Sequence, residues 1–184
     1  MAGTVPKILL TGLPGCGKTT AIIRICAGLK HLRLAGFFTE EIRVHNNRTG
    51  FRWKKLDGTE GILAHVDIKS RFRVGKYGVD VEGFERDVVP ILDVERSDAE
   101  LFVIDEIGKM ECFSQKFVEA IRRLFIADKP VLAAVAQKGA GLIAEVKDYP
   151  MVKLFNLNER NRDSVAGEII ELLSTLKQKG SADG

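Results

Sequence analysis

The sequence is poor in the residues that build metal centres and covalent staples. Its three cysteines (Cys16, Cys26, Cys112) form no C-x-x-C pair, and its three histidines (His31, His45, His65) lie far from them and from one another. Neither the spacing of a zinc site nor a disulfide framework is present. No apolar stretch approaches the ~18 residues of a membrane span. The N-terminus enters a strand-like apolar run at once, without the charged region, apolar region and small-residue cleavage site of a signal peptide. A cytoplasmic chain without a membrane partner is expected. Excess charge is also scarce: 28 Lys+Arg against 25 Asp+Glu leave a formal +3, too little and too dispersed for a nucleic-acid-binding field.

What is present is ordinary globular composition, 45% hydrophobic and 29% charged over 184 residues, which excludes a disordered chain or a collagen-like rod. At about 150 residues per domain this is one core. We expect a single monomeric domain over residues 1–177, with 178–184, which lack an apolar anchor, as a flexible tail.

Short apolar runs alternate with amphipathic helical stretches, the pattern of an α/β fold with a mainly parallel sheet flanked by helices. Lys7-Ile8-Leu9-Leu10-Thr11 ends at a Gly-rich turn, after which Ala21, Ile22, Ile25, Cys26 and Leu29 fall at helical spacing. A second strand is expected at 36–44. The Asn46-Asn47-Arg48-Thr49-Gly50 turn then favours an antiparallel hairpin insertion into 51–56. Residues 57–82, rich in Gly and charge and without periodicity, read as an insertion or mobile segment at the sheet edge. Phe84, Val88, Ile91 and Leu92 suggest a helix that Pro90 kinks or divides. Further strands are expected at 101–104, 130–136 and 152–155. Between and after them, helices carry Phe113 to Phe125, residues 142–146, and Val165 to Leu176.

Gly12-Leu13-Pro14-Gly15-Cys16-Gly17-Lys18-Thr19 fits G-x-x-x-x-G-K-S/T in full, between a predicted strand and a predicted helix. Phosphate oxygens must approach backbone N–H groups closely, and side chains at Gly12 or Gly17 would fill that space. Lys18 reaches the β- and γ-phosphates, Thr19 offers a hydroxyl to Mg²⁺, and the helix N-terminus adds partial positive charge. Asp105 ends an apolar run, at the strand edge where ligands of parallel sheets bind. That is the geometry of a Walker B aspartate, which would hold Mg²⁺ through a coordinated water while Thr19 offers its hydroxyl. Glu106, one step later, is placed to orient or deprotonate an attacking water, which makes Glu106 and Lys18 the expected catalytic residues. Lys109 and Glu111 follow within reach of the nucleotide.

With both motifs located, the chain resembles the family of small P-loop nucleoside triphosphatases first described from thermophiles, whose vertebrate member is called cancer-related nucleoside triphosphatase. The resemblance rests on residues 12–20 (GLPGCGKTT), 36–43 (GFFTEEIR), 73–79 (RVGKYGV), 103–111 (VIDEIGKME) and Asn161-Arg162-Asp163. It implies a P-loop NTPase fold with the Asp105 strand inserted between the first and second strands of the sheet. It also implies Mg²⁺-dependent hydrolysis of ATP, GTP and other nucleoside triphosphates, with little preference for base. The implied nucleotide site comprises Gly12, Leu13, Pro14, Gly15, Cys16, Gly17, Lys18, Thr19 and Thr20 with Asp105, Glu106, Gly108 and Lys109. Gln137 is the single polar residue available as a γ-phosphate sensor after the 130–136 strand.

Independently of the resemblance, the guanine-reading N-K-x-D sequence is absent. Arg160 and Arg162 follow the last strand, where a cationic plane stacks on any base without choosing among them. Three functions stay open: an NTPase activating water through Glu106, a P-loop kinase of small molecules or nucleotides, and a nucleotide-dependent binding module. In the second, Arg71, Arg73 and Lys76 would bind an acceptor phosphate or form a lid.

Overall fold

The computed structural model describes residues 5–178. A nine-stranded sheet runs through it. Strands β1 (Lys7–Thr11), β2 (Leu34–Val44), β7 (Leu101–Ile107), β8 (Val131–Val135) and β9 (Val152–Asn156) form its parallel half, and β3 (Asn47–Lys55), β4 (Glu60–His65), β5 (Arg73–Val74) and β6 (Tyr77–Val79) an antiparallel meander. The order across the sheet is β5-β6-β4-β3-β2-β7-β8-β1-β9. The Asp105 strand, β7, does lie between β1 and β2, but β8 shares that gap and separates β7 from β1.

The period-2 alternation of the central strands divides the core between two faces. Leu9, Phe102, Ile104, Ala133 and Val135 point to one face, against α2 (Val81–Asp87) and α3 (Gln115–Ile126). Ile8, Leu10, Leu101, Val103 and Leu132 point to the other, under α1 (Lys18–Gly28) and α5 (Arg162–Ser174). Asp80 and Ser114 cap α2 and α3, each side chain accepting from a backbone N–H in the first turn. A short α4 (Leu142–Glu145) links β8 to β9. Pro90 divides the 84–92 stretch as expected, since α2 ends at Asp87 and a 3₁₀ turn covers Val89–Leu92.

Three expectations need correction. The hairpin turn is tighter than the 46–50 segment: His45 and Asn46 take φ of 48° and 64°, and β3 begins at Asn47. Gly50 instead lies within β3, where a Cβ would stand 2.4 Å from the Ala64 carbonyl oxygen, so it serves strand approach and not the turn. The 57–82 segment is no loose insertion, because it supplies β4, β5 and β6. β5 and β6 are too short to show alternation in sequence, yet with β4 they bury Leu63, Ala64, Tyr77 and Val79. The Walker B strand also runs on past Ile104 to Ile107, with a register shift against β8 between those two residues. The tail expected at 178–184 lies outside the described residues, apart from Gln178 at the end of a 3₁₀ turn.

One buried cation fastens β1 to the end of α3. The Lys7 ammonium donates to the carbonyls of Leu124 and Ala127, groups that the end of α3 leaves without helical partners, and to that of Lys129 in the loop beyond. Burial pushes its pKa down to about 8, so it stays charged at neutral pH. Lys7→Met keeps the apolar stem and strands these carbonyls, so a loss of about 2 kcal/mol is expected from the urea midpoint. An unchanged midpoint would show that removing the buried charge compensates fully.

Candidate active site

The phosphate loop joins β1 to α1 through three glycines at positive φ: Gly12 at 156°, Gly15 at 78° and Gly17 at 97°. Their lack of side chain serves the protein as well as a phosphate. A Cβ on Gly12 would stand 2.4 Å from the Leu157 carbonyl oxygen and 2.8 Å from Cys16 Sγ, and one on Gly17 would stand 3.0 Å from the Arg162 side chain. Crowding at these two positions therefore comes from the fold itself, a reason the motif alone does not reveal. Cys16 packs into the core beneath the loop, whereas Leu13, Pro14, Gly15 and Thr20 are exposed.

Lys18 opens α1 and is nearly buried. Its ammonium donates to the Gly12 carbonyl at 3.2 Å and to the Leu13 carbonyl at 3.5 Å, and lies 3.7 Å from Glu106 Oε2. The cation is thereby poised between the loop and the end of β7. Asp105 and Glu106, joined by a cis peptide, sit in the irregular step of β7. Burial lifts the Asp105 pKa to about 7, opposed by hydrogen bonds from the Thr19 side chain and the Thr39 backbone. Burial also raises Glu106, and the charges of Lys18 and Lys147 pull it back.

Glu111 is the group that sequence reasoning underrates. It is buried at the start of a 3₁₀ turn, and burial lifts its carboxyl to about 8. A Cβ on Gly108 would stand 2.9 Å from Glu111 Oε2 and 3.3 Å from Glu106 Oε1. Gly108 thus occupies the gap between two carboxyl groups. The sequence signal is an acid five residues after Glu106, and nothing in that spacing predicts full burial.

Lys18, Glu106 and Glu111 open on a cleft of about 630 Å³, while Asp105 is buried behind its lining. Gly15, Gly17, Lys18, Thr19, Thr20, Glu106, Gly108 and Lys109 line it, and so do Thr39, Glu40 and Lys138, which the sequence does not single out for the site. Gln137, the single polar residue the sequence offers for a γ-phosphate sensor, is not on this wall; its carbonyl accepts from Lys147. Arg160 is exposed in the turn after β9, and Arg162, at the start of α5, packs over Gly17.

Asp105 Oδ2 is buried and has no hydrogen-bond partner among the described residues. An unsatisfied carboxylate oxygen next to the Thr19 hydroxyl is a donor set that suits a hard divalent cation such as Mg²⁺. The residues present therefore fit that ion.

A strand, a glycine loop closing on a helix, and a carboxylate pair on a strand beyond the loop's immediate neighbour together define a P-loop nucleotide-binding protein. The family profile described as NTPase matches residues 7–170, and the chain belongs to this family of nucleoside-triphosphatases. Nucleoside-triphosphatase THEP1 of Thermotoga sp. (strain RQ2) is 42% identical over 91% of this chain and 95% of that one. The crystal structure of THEP1 from the hyperthermophile Aquifex aeolicus superposes with a TM-score of 0.84 at 37% identity, over 91% of this chain and 98% of that one. The solution structure of a human cancer-related nucleoside triphosphatase does so at 0.79 and 35% identity, over 93% and 98%. No helix among the described residues is long and apolar enough to cross a membrane.

Proposed function

We propose that this chain hydrolyses nucleoside 5′-triphosphates to diphosphate and phosphate in a Mg²⁺-dependent reaction with low base selectivity. The observation that carries the reading is the approach of Lys18 to Glu106 at 3.7 Å, which gathers the phosphate loop's cation and a carboxylate base at one end of the cleft. The loop amides and Lys18 bind the triphosphate, with Lys18 exchanging its contacts to Gly12 and Leu13 for the β- and γ-oxygens. Glu106 accepts a proton from a water directed at the γ-phosphorus. The new P–O bond forms as the bond to the β–γ bridging oxygen breaks, and its electron pair leaves on the diphosphate. Thr19 and Asp105 would hold Mg²⁺, which when bound neutralises charge on the transferring phosphoryl group and the leaving diphosphate.

Low base selectivity is supported by the absence of N-K-x-D and by the exposed Arg160 beyond β9, a platform that reads no base edge. With Mg²⁺, ATP, GTP, CTP and UTP should turn over with kcat/KM values within about tenfold of one another, a spread of ~1.4 kcal/mol, and chelation by EDTA should stop all four. A single base favoured a hundredfold would sink the base-tolerant reading. Turnover that persists in EDTA would remove the metal.

A further inference from the structure

The cations that line the cleft are Lys18, Arg48, Lys109 and Lys138, while Arg71, Arg73 and Lys76, the cations expected of an acceptor site or lid, do not line it. Two of the four are committed. Lys18 is held by the loop carbonyls and Glu106, and Arg48 is bound to Glu41 at 2.7 Å and to the Tyr77 hydroxyl at 3.0 Å. Lys109 and Lys138 are exposed and make no hydrogen bond or ion pair among the described residues.

Their places in the sheet separate these two. Lys109 follows β7 itself, whereas Lys138 follows β8, the strand that lies between β7 with Glu106 and β1 with the phosphate loop. The chain leading to Lys138 is tied down beside Glu106. Ala136 lines the cleft, and its N–H donates at 3.1 Å to the carbonyl of Ile107, the residue after Glu106. The Lys147 ammonium donates to the carbonyls of Ala136 at 2.7 Å and Gln137 at 2.9 Å, and its charge reaches Glu106. Lys138 comes two residues after Ala136, a span of at most about 7 Å.

We propose that Lys138 is a catalytic residue of the hydrolysis: its ammonium contacts the terminal phosphate from the β8 side and stabilises the charge that gathers as the bond to the β–γ bridging oxygen breaks. The inference rests on the roles given above to Lys18 and Glu106. A phosphate held by Lys18 and faced by a water on Glu106 lies over the ends of β1 and β7, and β8 is the strand between them. Lys18 also shares its charge with Glu106 at 3.7 Å, so a second cation at that place meets γ-oxygens that Lys18 leaves bare. Lys138 has no protein partner to give up in doing so, and a donor aimed at developing charge acts on the transition state more than on the bound substrate.

The test uses the full-length protein with Lys138→Ala and Lys138→Arg, at an exposed position outside the core, and Lys109→Ala for comparison. Two quantities are read with Mg²⁺ present: steady-state phosphate release from ATP, and the Kd for ADP alone and for ADP with aluminium fluoride, which imitates the transferring phosphoryl group. Lys138→Ala should lower kcat by about 10²-fold, the effect of one lost donor to transition-state charge. It should weaken the fluoride complex by about tenfold or more while the Kd for ADP stays within about twofold. Lys138→Arg keeps the charge and should recover most of both losses, which a purely structural role for the side chain would not produce. A kcat for Lys138→Ala within about threefold of the parent, with the fluoride complex intact, overturns the proposal. Equal weakening of ADP and of the fluoride complex puts Lys138 on the diphosphate and also overturns it, as does a loss confined to Lys109→Ala. In all three cases the parent still releases phosphate and the hydrolytic reading stands. A parent that releases none from any triphosphate overturns that reading, and the role of Lys138 falls with it.

Discussion

Glu106→Gln should bind nucleoside triphosphates as the parent does and hydrolyse them about 10² to 10⁴ times more slowly, the range of a lost general base. The substitution keeps the side chain's size and its hydrogen-bonding reach while removing the proton acceptor. Lys18, Thr19 and the loop amides remain to hold the phosphates, so the loss belongs in kcat. Affinity can rise a little, because the 3.7 Å contact between Lys18 and Glu106 is weakened and a negative charge is withdrawn from beside the incoming phosphates. A stable triphosphate complex is the result to look for, by nucleotide binding and single-turnover phosphate release on one preparation. Two outcomes count against the assignment: much weaker binding makes Glu106 part of the phosphate or metal cradle, and a kcat within threefold of the parent means that another group, or the substrate itself, activates the water.

The parts of this site set by contiguous residues are legible in the sequence. Gly12 to Thr19 fixes a loop, a cation and a hydroxyl within one turn of chain, and four apolar residues before Asp105 place a carboxylate after the buried stretch of a strand, which itself continues to Ile107. What is hidden depends on residues distant in the chain. Gly12 needs its bare Cα because the Leu157 carbonyl presses on it, and no local pattern contains that contact. Glu111 looks like a solvated charge beside Lys109, and only the fold of the 3₁₀ turn buries it. The meander escapes a sequence reading because β5 and β6 are two and three residues long, below the length at which alternation can be counted. Its importance to the cleft is hidden for the same reason, since Phe51, Leu63 and Val74 come from three different strands of it. The turn at His45 and Asn46 is displaced in the sequence pattern because Gly50 draws the expected turn toward itself. A glycine that admits a neighbouring backbone looks, in one dimension, like a glycine that turns a chain.

Two glycines of this chain should respond to alanine with opposite signs, and the first governs where Asp105 and Glu106 sit. Gly36 lies in β2 opposite Val103 of β7, at a φ of 147°, and a Cβ there would stand 1.8 Å from the Val103 carbonyl oxygen and 2.7 Å from its carbon. The obstacle is backbone in a central strand whose Leu101 to Ile104 are fully buried, so no flexible side chain can give way. Gly36→Ala should therefore cost about 4 kcal/mol or more, in the class of severe single substitutions. Gly167, exposed in α5 with nothing within 4 Å of the place a Cβ would take, should instead gain about 0.5–1 kcal/mol as alanine from helix propensity alone. Urea midpoints at a common m-value measure both. Any Gly36→Ala molecules that do fold must part β2 from β7, and β7 carries Asp105 and Glu106 two and three residues beyond Val103, so their turnover should fall as well. Gly167→Ala should keep full activity, and equal midpoints for the two variants would mean that β2 and β7 do not approach as closely as the Gly36–Val103 contact requires.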